Sequence, residues 1–400
     1  LDINIKRGDR VKIAAIEFDG VTAFKPGKLR RSMSETKKKA IYRIFSSSKF
    51  LKKAYKEDLK SVIATYQTKG YRDARIESDS LYRNSNNDLV IRIKVDEGSQ
   101  YYFGNVNWVG NSKYSSDELS KVLGIKPGDL FDQTVLDSRL YGSMDGNDIS
   151  SLYLDDGYLF FQINPVEVAE RNDTIDLEMR IYEGQQATIN QIKIQGNTRT
   201  NDHVIRREIR TKPGQLFSRS DIIRTNRELA TLGYFDPEQL EVNPVPNPQT
   251  GTVDIEYKLV EKSTSQIELQ GGWGAGRVVG TFGVIFDNFS ARNFFKKGAW
   301  QPLPSGDGQR LSIRAQSYGV GFQSYNFSFT EPWLGGKKPR SLTVSFYKSI
   351  QSNGLRKSDP GRQSIDITGI GANLGSRLKF PDDFFTGILG FNFQKYTLSN

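Results

Sequence analysis

Residues 192–210, IKIQGNTRTNDHVIRREIR, hold the pattern that decides the architecture: an apolar run closing at Gly196 and, nine residues later, Ile205. The same pattern stands at 106–123 (VNWVGNSKYSSDELSKVL), with Gly110 and Leu119, and at 13–32 (IAAIEFDGVTAFKPGKLRRS), with Gly20 and Leu29. A spacing kept three times marks a tandem array in which each copy is one supersecondary module. Working outward, Gly-Tyr recurs at Gly70-Tyr71, Gly157-Tyr158 and Gly233-Tyr234, and the copies close at Glu97-Gly98, Glu183-Gly184 and Glu261-Lys262. The step from Gly98 to Gly110 is 12 residues, as are those from Gly184 to Gly196 and from Gly8 to Gly20. Residues 1–9 therefore read as the last strand of a preceding unit, followed by units at 10–98, 99–184 and 185–262, so the chain is expected to begin inside a unit.

Each unit predicts the order β-α-α-β-β. A strand (Lys12 to Asp19, Asn105 to Val109, Gln191 to Gln195) turns at the glycine and enters a helix through capping residues near Ser116-Asp117 and Asn201-Asp202. A second helical segment follows at Lys56 to Thr68, at Val135 to Leu154 with an irregular middle, and at Arg219 to Leu232, ending near a glycine suited to a left-handed cap. Two strands finish the unit, for example Ala74 to Leu81 and Leu89 to Val95, where Leu89, Ile91, Ile93 and Val95 keep the strand period of two. The second and third units share Lys-Pro-Gly-x-Leu-Phe at 126–131 and 212–217; the first instead carries Lys37-Lys38-Lys39.

After residue 262 the character changes. Residues 263–400 hold 16 Lys/Arg against 8 Asp/Glu and 20 of the 37 glycines, and they alternate apolar with polar over strand lengths. The apolar sets are Ile267, Leu269, Gly271 and Trp273; Val278 to Phe286; Leu311, Ile313 and Ala315; Tyr325, Phe327 and Phe329; Leu342, Val344 and Phe346; Ile365, Ile367 and Gly369; and Phe385 to Phe393. Runs of about ten residues with one apolar and one polar face are the mark of a transmembrane β-barrel. Aromatic residues near turns, Phe289, Phe294, Trp333 and Phe384, are expected at its interfacial girdles. Seven strands cannot close a single-chain bacterial barrel, which uses an even number from about 8 upward, so further strands are expected beyond Asn400. Counting strands across a membrane places the connector Gln351 to Gln363 on the side opposite the repeat that leads into the barrel.

Several function classes are excluded by composition. With no cysteine there is no thiolate nucleophile and no Cys-based metal site. The glycine runs 369–375 and 271–276 lack the spacing and helix of a nucleotide loop and suit bent barrel strands. His203, the one histidine, sits at a helix start and reads as solvated rather than catalytic. Basic residues alternate along strands instead of clustering, which argues against nucleic acid as a partner. No cofactor, metal or catalytic residue is expected.

Three such units leading directly into barrel strands resemble POTRA repeats on the outer-membrane assembly and translocation barrels, nearest to the β-barrel assembly branch. The resemblance is carried by Gly196-Asn197, Asp202 and Val204 to Arg210, Leu232-Gly233-Tyr234-Phe235, Asp287-Asn288-Phe289, and Thr330-Glu331-Pro332-Trp333-Leu334. The connector from Phe294 to Gln309 is longer than the tight turn usual there. The resemblance implies α+β repeats in the periplasm, an antiparallel barrel in the outer membrane, and a non-enzymatic protein that inserts unfolded outer-membrane proteins through a lateral gate. Gate residues would be Gln266, Ile267, Leu269, Gly271, Gly272, Gly274 and Gly276 in the first barrel strand. Arg206, Arg207, Glu208 and Arg210 would meet an accessory periplasmic lipoprotein, and Ala74, Ile76, Ser78 and Leu81 would accept a client strand by β-addition. Outer-membrane lipid and lipopolysaccharide would surround the barrel. The alternatives are a two-partner-secretion or other export barrel of the same superfamily, an outer-membrane enzyme such as a phospholipase, and a soluble repeat scaffold. An export barrel would carry two repeats, whereas three and the remnant of a fourth are present here.

Overall fold

The computed structural model describes residues 13–38, 50–85, 87–143, 146–171, 173–274, 277–300, 303–382 and 384–399. The strand expected at residues 1–9, Lys39 and Gly276 lie outside them. The chain divides into two units, Leu1–Gln186 and Ala187–Asn400.

The first unit contains two repeats. One runs β1 (Ile13–Asp19), α1 (Pro26–Ser32), α2 (Lys52–Gln67), β2 (Arg75–Arg83) and β3 (Leu89–Asp96); the next runs β4 (Tyr102–Val109), α3 (Ser116–Leu123), α4 (Gln133–Tyr141), α5 (Ile149–Asp155), β5 (Gln162–Arg171) and β6 (Thr174–Tyr182). The second repeat thus has three helices where two were expected. Asp148 explains the break, because its carboxylate accepts the Ser151 N–H at 2.8 Å and starts a new helix. The first helix of this repeat starts slightly earlier than the sequence suggested: Ser115 is the N-cap, in a capping box with Glu118.

Each sheet is mixed. The last strand of a repeat lies in the centre, parallel to the first strand and antiparallel to the middle one, in the orders β1-β3-β2 and β4-β6-β5. Leu29 and Leu119, the residues nine positions after the turn glycine, are fully buried in the cores of their repeats. The glycine itself is required twice over. Gly110 has a φ of +91°, and a Cβ there would run into the carbonyl oxygen of Ile181 on the central strand. Its counterpart Gly20 meets Val95 in the same way.

The Glu that closes each repeat returns to the turn. Glu97 accepts the N–H groups of Thr22 and Ala23 at 2.9 and 3.0 Å and the Tyr66 hydroxyl at 2.8 Å. Glu183 accepts those of Ser112 and Lys113 at 2.9 and 2.8 Å and the Tyr153 hydroxyl at 2.9 Å. Burial opposes the charge, but the donated bonds outweigh it and hold both carboxyls below the ordinary range.

The second unit begins with a repeat of the same plan, β7 (Thr188–Gln195), α6 (Asp202–Arg206), α7 (Arg219–Thr231), β8 (Glu241–Asn247) and β9 (Thr252–Lys258), in the order β7-β9-β8. Glu261 clamps Thr198, Arg199 and Thr200 through their N–H groups, at 3.1, 2.9 and 2.7 Å. The Lys-Pro-Gly-x-Leu-Phe segment folds onto the start of the first strand: Phe217 N–H donates to Ala187 at 2.9 Å, as Phe131 N–H does to Tyr101 in the second repeat. Its phenylalanines are buried in both repeats.

Seven antiparallel strands follow in chain order: β10 (Ser265–Gly274), β11 (Arg277–Phe289), β12 (Gln309–Tyr318), β13 (Phe322–Glu331), β14 (Arg340–Ser352), β15 (Ser364–Arg377) and β16 (Thr386–Ser399). Cross-strand partners point to the same face, and one row, Ile267, Val284, Ile313, Phe327, Phe346, Ile370 and Phe393, is apolar across the whole sheet. The neighbouring row on the other face reads Gln266, Ile285, Ser312, Ser328, Ser345, Gly371 and Asn392. An apolar outer and a polar inner face make this sheet a partial β-barrel.

The register corrects the phase expected for β15. Ile367 pairs with Ser349 and Gly369 with Tyr347 and Gln394, so Ile365, Ile367 and Gly369 belong to the inner face; the outer one is Ile370, Ala372 and Leu374. Composition misled because β15 carries isoleucine in both phases. The girdle expectation also changes: Phe289 is buried, and Trp333 turns to the repeat, as described below.

Candidate functional site

Three places gather the residues singled out by sequence: the edge strand β10, the helical face of the third repeat, and the edge strand β2.

β10 lies at one edge of the seven-stranded sheet and pairs only with β11 among the described strands. Ile267, Leu269 and Trp273 are 73%, 80% and 74% exposed, and Gln266 lies on the polar face. Gly271 and Gly274 have no atom within 4 Å of where a Cβ would stand, and Gly272 meets only Val279. The glycines of its far half therefore add no side-chain packing to the backbone ladder with β11.

Strand direction alternates, so the connectors after β11, β13 and β15 share one end of the sheet, and this end meets the third repeat. Arg206, Arg207, Glu208 and Arg210 divide there. Arg206 stays half-exposed beside Asp202, at 2.5 Å. Arg207 and Glu208 are 10% and 8% exposed, and both face the connector after β13. The Trp333 indole N–H donates to Glu208 Oε1 at 2.7 Å, and the Arg207 guanidinium lies 5.6 Å from the centre of the same ring. Arg210 pairs at 3.2 Å with Glu228, which also receives Arg377 from the end of β15 at 3.0 Å and Arg224 at 3.4 Å. Arg224 stacks on Phe384 at 4.0 Å.

The long connector after β11 closes the rest of this junction. Asn201, at the N-cap of α6, makes no capping bond with its side chain; its amide donates to Asp307 at 2.8 Å and its backbone N–H to Gly306 at 2.9 Å. Asp307 also accepts the Ser290 hydroxyl at 2.6 Å, and His203 stands half-exposed at 3.6 Å from it. Asn288 takes a positive φ of 64°, donates its amide to Thr200 at 2.9 Å and accepts Gly308 N–H at 2.9 Å. The Tyr234 hydroxyl donates to the Gly308 carbonyl at 2.9 Å.

Burial in this junction shifts the charges. Desolvation raises the Glu208 carboxyl above its ordinary range, opposed by the Trp333 hydrogen bond and the Arg207 charge. Desolvation likewise lowers Arg207, opposed first by Glu208. Arg207 Nε and Nη2 find no hydrogen-bond partner among the described residues, and the guanidinium lies between the Glu208 carboxylate and the Trp333 ring. The sequence reading did not single out Asp307, Glu228 or Arg377. The unusual length of the 294–309 connector was the one signal for Asp307; Glu228 and Arg377 had none.

β2 is the edge of its sheet, with a register shift between Ile76 and Ser78. Ser78 and Leu81 are exposed and Ile76 partly so, whereas Ala74 precedes the strand and is buried. Ala74 therefore cannot present an edge to an added strand. β8 holds the matching place in the third repeat, and Pro244 and Pro246 leave two of its positions without an N–H.

The comparisons with known proteins agree with this architecture. A family model described as POTRA, surface antigen variable number repeat, matches residues 11–98, 101–184 and 187–262. The outer membrane protein assembly factor BamA of Neisseria meningitidis is 30% identical over 341 residues, 84% of this chain and 40% of that protein. A putative outer membrane protein assembly factor of Treponema pallidum is 27% identical over 86% of this chain and 39% of its own length. The chain thus spans about 40% of the length of these relatives. Among solved structures, Haemophilus ducreyi BamA lacking POTRA domains 1–3 superposes with a TM-score of 0.55 at 24% identity, over 75% of this chain and 52% of that one. POTRA3-5 of Haemophilus influenzae BamA superposes with a TM-score of 0.50 at 24% identity, over 64% of this chain and 99% of that one. With the three repeats matched in full, the chain belongs to the POTRA family, its repeats leading directly into a partial antiparallel β-barrel.

Proposed function

We propose that this protein is the central subunit of an outer-membrane β-barrel assembly machinery, with its repeats in the periplasm, and that it folds and inserts unfolded outer-membrane proteins without cofactor or enzymatic step. The observation that carries the reading is the first barrel strand β10: glycine-rich over its far half, apolar on its outer face, and joined through residues 259–264 to a repeat of the POTRA family. A client hairpin needs a free edge inside the bilayer, where each unpaired backbone group costs several kcal/mol. Gln266, Ile267, Leu269, Gly271, Gly272 and Gly274, with Gly276 beyond them, would offer that edge by parting from the strand that closes the barrel. The names of the relatives support the same reading.

Units at 10–98, 99–184 and 185–262 and a barrel from 263 are the divisions this function uses. Clients would add to β2 along Ile76, Ser78 and Leu81. An accessory lipoprotein would approach the third repeat at Arg206, since Arg207 and Glu208 are covered by the barrel rim; outer-membrane lipid and lipopolysaccharide would surround the sheet.

The test is a disulfide between a cysteine at Gln270 and one on the closing strand of the full-length protein, with no other cysteine in residues 1–400 to compete. Oxidation should abolish client insertion and leave the fold intact. Insertion at the rate of the reduced protein would remove the lateral gate and favour a conduit.

A further inference from the structure

The outer face of the barrel sheet has two polar borders. On β14 the outward residues run Arg340, Leu342, Val344, Phe346, Lys348, and on β15 Ser376, Leu374, Ala372, Ile370, Thr368, in register with them. Eight residues separate Arg340 from Lys348, about 20 Å of height for a tilted strand, close to the apolar band of an outer-membrane barrel. The upper border, away from the third repeat, is charged: Lys348 pairs across Thr368 with Lys395, and one row higher Ile350 pairs with Asp366.

Beside this border a groove of about 610 Å³ is lined by Lys348 and Asp366 from the strands and by Lys357, Asp359 and Arg362 from the connector after β14. Two features prepare its cations. Asp359 is engaged by the connector itself, accepting Arg356 N–H at 2.8 Å, and Arg362 is held in place by a bond from Nη1 to the Leu355 carbonyl at 2.9 Å. Lys348 and Lys357 make no ion pair among the described residues. Outward-facing cations at the rim of an apolar band are favourable where they meet an anion held at the same height.

We propose that this groove binds the phosphate of an anionic lipid in the leaflet opposite the repeats, with Lys348, Lys357 and Arg362 on the headgroup and the acyl chains along Phe346, Ile370 and Phe393. The inference rests on the membrane-barrel reading above and goes beyond it in naming the lipid chemistry and the place. Arginine supplies a planar fork matched to phosphate, and the two lysines supply point charges beside it.

The experiment places a bimane on Ser364→Cys, at the groove, in the full-length protein held in nanodiscs of equal parts phosphatidylcholine and phosphatidylglycerol. Bromine is carried on one lipid or on the other. Brominated phosphatidylglycerol should quench roughly threefold more than brominated phosphatidylcholine. The triple variant K348Q/K357Q/R362Q should equalise the two, while K348R/K357R keeps the preference and shows that the fold tolerates change there. Equal quenching in the parent protein would overturn the site, and loss of the preference on adding inorganic phosphate would assign it to a soluble anion instead. A protein that stays soluble without lipid or detergent would defeat the membrane-barrel reading itself, which is a different outcome from insertion without lipid preference.

Discussion

The second and third repeats place the same backbone in different surroundings. Eleven and twelve residues after the turn glycine stand Lys121 and Val122 in one and Arg207 and Glu208 in the other. Lys121 is exposed and Val122 partly so, as expected for the outer side of a short helix. Arg207 and Glu208 are almost covered, because the connectors after β11 and β13 lie over them. The clamp of turn by closing Glu is the same in both repeats, so the local fold does not cause the difference. It teaches that a repeat can keep its scaffold and convert one solvated helix face into a buried polar joint when a larger sheet is attached.

The largest expected effect tests that conversion. Glu208→Ala leaves Arg207 buried without its nearest carboxylate and the Trp333 N–H without an acceptor, and should cost about 3–5 kcal/mol of local stability. Lys121→Ala at the exposed counterpart of Arg207 should stay within about 0.5 kcal/mol. Hydrogen exchange of amides in α6 and α7 against those in α3 and α4 reads both, and equal small changes would break the comparison.

The shared clamp gives a second, intermediate effect. Glu183→Ala and Glu261→Ala each remove the acceptor from two or three N–H groups that water can partly replace, so each should cost about 1–2 kcal/mol. Chemical denaturation of the two variants should show similar losses. A much larger one for Glu261 would show that the barrel also leans on the turn at 196–200.

The pH dependence should separate the two kinds of glutamate by sign. Glu208 is raised, so between the ordinary glutamate value of about 4.3 and its own the folded state binds more protons than the unfolded one, and stability falls as pH rises through that window. Glu97, Glu183 and Glu261 are lowered; their contribution is complete above the ordinary value and is lost as pH falls through their folded values. Mild acidification should therefore first tighten the third repeat and only later loosen all three. E208Q should abolish the first phase, and a monotonic profile in the parent protein would contradict the assignment.

The smallest effect concerns the repeat edges. A client cross-linked through single cysteines should be captured several times better at Ser78 of β2 than at Val245 of β8, where proline stands on either side. The bulge between Ile76 and Ser78 kinks this edge, so the added strand would pair more regularly from Ser78 onward than at Ile76. Comparable yields at both edges would remove strand addition from the first repeat.

Much of the fold was legible because it is periodic. Glycine spacing gave the repeats, alternation gave seven strands, and both rest on local rules of backbone and side-chain direction. The errors fell where two periods compete, as in β15 with isoleucine in both phases, or where a capping Asp148 divides a helix. At the candidate site, the sparse packing of Gly271, Gly272 and Gly274 was legible because glycine lowers packing wherever it stands. The sequence by itself thus determined the modules, their order, the two faces of six of the seven strands and the glycines of β10. Only the tertiary structure decided that Glu208 and Arg207 are buried, that Asn288 and Asp307 seal the joint, and that Lys348 shares a groove with Arg362. Those facts depend on pairs of residues distant in the chain, whose solvation is set by which surfaces meet and not by their neighbours in sequence.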